Sequence, residues 1–212
     1  MRCKSFFVND LNSFNAQKLS ALDMAFFVYP HSISLDEELE KPKLTKTLTK
    51  LSLDAELILF IYFKAKVKQK TYLSVMVMEK GRILGISDCL SRQDYDSSDN
   101  QRIYMLSKGK AGVIVDNDIF YPESARSLFL HNADYIVYMT FERHNFQAVK
   151  TINAHRAFSA LPVYAVFGDC LCYFAGNFVK KNAEELLISE SGKNTRIPSR
   201  VLHKFASPTF EY

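Results

Sequence analysis

The residues of this chain that could do chemistry are few and scattered. Four cysteines stand at Cys3, Cys89, Cys170 and Cys172, and Asp116 and Asp118 flank Asn117. Two carboxylates two positions apart share a face if their segment is a strand. Together with His31 they could hold a hard or borderline cation. A Cys–His pair such as Cys89 with His31 could carry acyl transfer. Each idea has a plainer competitor, and the plainer one is preferred. Cysteine is among the most buried residue types, so Cys89 reads as a small apolar filler. His31 reads as an ordinary residue following Pro30. The expectation for Cys170 and Cys172 is that alternation along a strand turns them to opposite faces, which argues against a joint metal site. Neither a metal nor a cofactor is expected.

Composition narrows the classes further. The chain has 212 residues with 48% apolar and 24% charged, the ordinary balance of a soluble globular domain. One domain over 1–212 is expected, with 191–212 as an extended tail. A formal charge of +4 is too mild for nucleic-acid binding unless it is gathered into a patch. The lysines of Lys64 to Lys70 read as a solvated hairpin or edge that discourages edge-to-edge pairing. The cysteine spacing is neither a disulfide framework nor a zinc pattern, and a reducing cytoplasm fits it. Apolar runs are strand-sized, whereas a membrane-spanning helix needs roughly 20 apolar residues. The N-terminus lacks the apolar stretch and cleavage site of a signal peptide. No nucleic acid and no membrane are therefore expected as partners.

The elements that must position these residues are legible from apolar spacing. Ser5 to Val8 is a short apolar run, and strands are expected at Ala25 to Tyr29 (ended by Pro30), Leu57 to Phe63, Tyr72 to Met78 and Arg82 to Ile86. Further strands are expected at Ala111 to Val115, Tyr135 to Thr140, Val163 to Phe167 and Cys170 to Phe174. Helical spacing covers Asn9 to Leu22, Leu35 to Leu53 with a break or start at Pro42, Pro122 to Asn132, and Phe146 to Leu161. In the second of these, Leu39, Leu44, Leu48 and Leu51 share one side. Ser91 to Asn100 reads as a loop and Lys80-Gly81 as a turn. Strands alternating with helices, some of them joined as hairpins, give an α/β class with mixed sheets.

The segment Gly112 to Thr140 carries a resemblance. Tyr121-Pro122-Glu123, Ala125-Arg126 and Asn132-Ala133-Asp134 before Tyr135-Ile136-Val137 resemble the nucleophile segment of the carbon–nitrogen hydrolase (nitrilase) superfamily. Asp23 to Pro30, Gly81 to Gly85, His155-Arg156-Ala157, and Ala175-Gly176 with Glu184 to Leu187 resemble further segments of that family in the same order. The resemblance implies an α-β-β-α sandwich of two mixed sheets with outer helices. It also implies a homodimer that pairs through the helices after Pro122 and around His144 to Leu161. Phe146, Phe158 and Leu161 are core or interface candidates there, with core preferred.

The family's chemistry uses a Glu–Lys–Cys triad. The thiolate attacks an amide or nitrile carbon, the Glu acts as base, and the Lys stabilises the developing charge. By resemblance the three positions fall here on His31, on Cys89 (or Asp88 with a one-residue slip), and on Asp116. None keeps its residue type, and Ser159-Ala160 replaces the Glu-Asn that follows the family's Arg-rich helix. A carboxylate is a poor nucleophile toward an amide carbon, because the product would be a mixed anhydride. Loss of hydrolysis with a retained binding or assembly role is therefore expected, with a small-molecule ligand left unnamed. The resemblance also implies that Asp118 keeps a structural aspartate's role and that Asp116 points into a vestigial, solvated pocket, with Asp88, Asn117, Asp118, Tyr121 and Glu123 as pocket candidates. The competing expectation is a diverged hydrolase or acyltransferase acting on a C–N bond through Cys89 and His31 or through acids near Asp116.

Overall fold

A computed structural model describes residues 1–90, 95–96, 101–143, 145–175, 178–182 and 186–187. The expected loop over 91–100 falls largely outside these residues, and the expected tail over 191–212 does so entirely. The chain forms two six-stranded sheets. The first contains β1 (Arg2–Phe7), β2 (Met24–Ser34), β3 (Ile58–Val67), β4 (Lys70–Glu79) and β5 (Arg82–Asp88). The second contains β6 (Ile103–Leu106), β7 (Gly109–Val115), β8 (Tyr135–Thr140), β9 (Val163–Phe167), β10 (Cys170–Ala175) and β11 (Phe178–Asn182). The chain then crosses back, and β12 (Leu186–Leu187) pairs with β1 to complete the first sheet.

Both sheets follow one plan. Three parallel strands, β1-β2-β3 in one sheet and β7-β8-β9 in the other, are flanked by antiparallel neighbours. Parallel strands need both faces covered, which is why their sequences are almost continuously apolar. Phe26, Phe60, Val113 and Val137 fill the layer between the sheets. Phe27, Leu59 and Ile61 face outward beneath α1 (Ala16–Leu19), α2 (Leu35–Glu40) and α3 (Leu44–Asp54). Ile114, Ile136 and Ala165 face outward beneath α4 (Pro122–Leu130) and α5 (Phe146–Ser159). The result is the expected α-β-β-α sandwich.

Several local expectations need correction. Pro30 does not end β2, because the strand runs through it. Its register with β3 shifts between Val28 and Ser32, and a bulge is where a strand tolerates a residue without an N–H. The helical stretch over Leu35 to Leu53 is broken at Pro42, as expected, into two helices. The Glu38 carboxylate accepts from the Leu44 and Thr45 N–H groups and so caps the second. Leu39 does not join the apolar side; it is 84% exposed. Lys64 to Lys70 is the hairpin rather than the edge of the two expected alternatives, since β3 and β4 are interior strands, with Lys68 and Lys70 at its turn. The short edge strand β6 was not anticipated. Asn9 to Leu22 forms only a 3₁₀ turn at Leu11–Ser13 and the single turn of α1, the latter capped by the Asn15 side chain. Cys170 and Cys172 lie on one face of β10, as a period of two demands, with their sulfurs 3.9 Å apart.

Other details agree with the sequence. Lys80 and Gly81 both take positive φ, the backbone of a two-residue hairpin turn. Pro122 opens α4, and Glu123 lies in its first turn at the positive end of the helix dipole. Gly112 lets α4 settle close on β7, because a Cβ there would lie 2.8 Å from Leu128 Cδ1.

Candidate functional site

In an open parallel sheet, the C-terminal ends of the strands are where function gathers. Here Asp116 and Thr140 lie at such ends, of β7 and β8, and Tyr62 reaches them from the middle of β3 in the facing sheet. Asp116 directly follows β7 and begins a 3₁₀ turn, Asp116–Phe120. Its φ is +51°, a left-handed conformation that aspartate tolerates better than most residues with a Cβ. The backbone therefore turns sharply at the residue where the resemblance puts a nucleophile.

Asp116 does not face a solvated pocket. It is 2% exposed, and its Oδ2 accepts from the Tyr62 hydroxyl at 2.6 Å and from Thr140 Oγ1 at 3.2 Å. Tyr62 is fully buried, and its ring packs 4.3 Å from that of Phe141. A buried carboxylate must be hydrogen-bonded or its desolvation goes uncompensated. The two hydroxyls meet that need. Burial pushes the neighbouring Tyr138 phenol above its ordinary range, and the Asp116 carboxylate adds to the shift.

Asp118 performs a different task. Its Oδ2 accepts from the Leu90 N–H at 2.7 Å, and its Oδ1 lies 3.5 Å from the Cys89 sulfur. It thus fastens the chain beyond β5 to the turn after β7. Because 116–118 is 3₁₀ rather than strand, the two carboxylates do not share a face, and each serves its own partners. Asn117 between them is half-buried. Among the described residues no group of three or more His, Cys, Asp or Glu side chains is placed to hold a metal ion.

The remaining candidates separate. Cys89 is 1% exposed, with its thiol toward Asp118. His31 is exposed, its ring edge-on to Tyr29 at 5.1 Å. Asp88 accepts from Ser74 Oγ at 2.6 Å within the β4–β5 pair. Tyr121 and Glu123 are on the surface at the start of α4. His155 of α5 bonds the Ile119 carbonyl at 2.7 Å through Nε2 and so braces the turn that carries Asp116.

Tyr62 and Thr140 were missed in the sequence. The available signal was a phenol inside the otherwise apolar run of β3, since a buried Tyr hydroxyl usually finds a partner. Lys64 was missed too. Its ammonium lies over the rings of Phe141 and Tyr95, at 5.8 and 5.9 Å, beside the Tyr62–Asp116 cluster rather than out on the hairpin tip.

No family model matches this sequence, and no curated protein matches it. Solved structures do match. The carbon-nitrogen hydrolase from Helicobacter pylori G27 superposes with a TM-score of 0.64 at 15% identity, over 86% of this chain and 85% of that one. A mutant amidase from Nesterenkonia sp. AN1, with the acetamide moiety of fluoroacetamide added covalently at its active site cysteine, gives 0.62 at 10% identity over 82% of each chain. Another mutant of the Nesterenkonia AN1 amidase, from the nitrilase superfamily, gives 0.59 at 8% over 82% of each. The chain thus has the fold of the carbon–nitrogen hydrolases.

Proposed function

We propose that this chain is a nitrilase-superfamily protein, one domain throughout, that no longer hydrolyses amides or nitriles. In this reading it works in the cytoplasm as a homodimer with a binding or assembly role. The observation that carries the loss of chemistry is the state of Asp116. Its carboxylate is buried and held by Tyr62 and Thr140, so it is not presented to a substrate. The residue types at the other two triad positions point the same way.

The competing reading makes the chain a diverged hydrolase or acyltransferase with Cys89 as nucleophile and His31 as its base. The burial of Cys89 and the exposure of His31 speak against it. Iodoacetamide labelling of the folded chain separates the two. Cys89 is expected to react at least ~100-fold more slowly than an exposed thiol, because it must wait for local opening. Labelling of Cys89 at or above the rate of a model thiol would favour the enzyme.

The dimer reading rests on the resemblance and on one surface. Between α4 and α5 runs a groove of about 790 Å³ lined by Ala125, Phe129, Leu130 and Ala154 among others. Leu130 and Phe129 are 63% and 44% exposed at this face, and Phe146, at the start of α5, is 57% exposed. Phe146 is therefore not core, Leu161 is partly buried, and the Phe158 side chain lies outside those described. Clustered exposed apolar residues of this kind mark interaction surfaces. Light scattering is expected to give a dimer mass for the natural chain and a monomer mass for Phe129→Glu. A monomer for the natural chain at micromolar concentration would remove this part of the proposal.

A further inference from the structure

Cys170 opens β10 and Cys172 follows two residues on, so both side chains leave the same face of the strand. Their sulfurs are 3.9 Å apart. Cys172 is 2% exposed, in the apolar layer of the second sheet beneath the outer helices, whereas Cys170 is half-buried. Cys3 and Cys89 are buried in the layer between the sheets. Cys170 is thus the cysteine that a reagent from solvent reaches first, and a second thiol stands beside it. We propose that Cys170 and Cys172 form a peroxide-oxidisable dithiol that closes to a disulfide within β10.

The geometry permits closure. Two residues of extended strand span about 6.6 Å between Cα atoms, at the upper end of the distances a disulfide bridges. The sulfurs must approach to about 2.05 Å. Cys170 can supply the movement. It is the first residue of its strand and pairs with Phe167 across the tight turn at Gly168-Asp169, where Gly168 takes φ +59°. Rotation of its side chain carries its sulfur toward Cys172, which the surrounding apolar layer holds in place.

The chemistry balances with hydrogen peroxide as the oxidant. The Cys170 sulfur, as thiolate, attacks one peroxide oxygen and the O–O bond breaks. The departing oxygen leaves as water after taking a proton, and Cys170 becomes a sulfenic acid. The Cys172 sulfur then attacks the Cys170 sulfur and the S–O bond breaks. The hydroxyl leaves as water with the Cys172 proton. Two thiols and one peroxide give one disulfide and two waters, and the two electrons lost by sulfur reduce the peroxide. A same-strand bridge near the limit of disulfide geometry is readily reduced, so the modification is reversible by thiols.

The test is stoichiometric hydrogen peroxide on the folded full-length chain, read by intact mass and peptide mapping. The expected product has lost two hydrogens, carries a Cys170–Cys172 link within one peptide, and reverts with dithiothreitol. Cys172→Ser is expected to abolish the link and leave Cys170 as a sulfenic acid, gaining one oxygen, which a second equivalent of peroxide carries to sulfinic acid. Cys170→Ser is expected to slow thiol loss at least ~10-fold, since the remaining thiols are buried. It also guards against a Cys172 variant that folds poorly. Sulfinic acid at Cys170 of the natural chain with Cys172 still reduced would overturn the proposal. So would a Cys170 bridge to any residue other than Cys172.

Discussion

Replacing Tyr62 with Phe is expected to lower the unfolding free energy by about 2 to 3 kcal/mol, a large effect for the loss of one oxygen atom. The ring stays, so packing against Phe141 is retained and no cavity opens. What is lost is a 2.6 Å hydrogen bond to a buried carboxylate, leaving Thr140 Oγ1 at 3.2 Å as its other hydroxyl donor. Bonds to charged groups are stronger than neutral ones, and the group left behind bears the desolvation cost. Asp116→Asn is expected to cost less. Asn also tolerates the left-handed backbone, and it is neutral in the same shape. In a double-mutant cycle the two changes should couple by more than ~1 kcal/mol. Urea unfolding midpoints measure both effects. A Tyr62→Phe shift below about 0.5 kcal/mol would mean the bond is not holding Asp116 in place.

Asp118→Ala is expected to cost about 3 kcal/mol, because the carboxylate is buried and serves the segment after β5. Its removal strands the Leu90 N–H and takes a carboxylate away from the Cys89 thiol. It also leaves a void at the join between the sheets. Asp118→Asn, which keeps an acceptor oxygen and the volume, should recover roughly half of the loss. Hydrogen exchange gives the local readout: the Leu90 amide should lose protection in the Ala variant ahead of the β8 amides. Equal protection of Leu90 in the two variants would contradict the role given to Asp118.

These two residues show how far the sequence could be read. Strands fully buried on both faces, such as Tyr135 to Thr140 and Val163 to Phe167, were legible to the residue, because continuous apolar runs of that length have few other uses. Short amphipathic pieces were not. The four-residue β6 pairs at an edge, and its exposed Met105 interrupts any simple pattern. Pro30 misled because a proline normally closes a strand, and only the paired register reveals the bulge that admits it. At the site, the turn at Asp116 could be placed by resemblance. Its partners could not, since Tyr62 lies 54 positions away and Thr140 lies 24 away, and neither distance leaves a local signal. The shared face of Cys170 and Cys172 follows from strand period alone, since residues two apart point the same way, the opposite of the expectation stated for them.

Asp116, which the resemblance puts at a nucleophile position, is proposed to be a structural residue held by burial and hydrogen bonding. The most direct measurement of this is hydrolysis of a panel of aliphatic and aromatic amides and nitriles, with the natural chain and Asp116→Ala at equal, high concentration, after unfolding curves have shown that both are folded. Product release at the uncatalysed rate for both proteins is the result predicted here. Turnover by the natural chain that disappears in Asp116→Ala would contradict it.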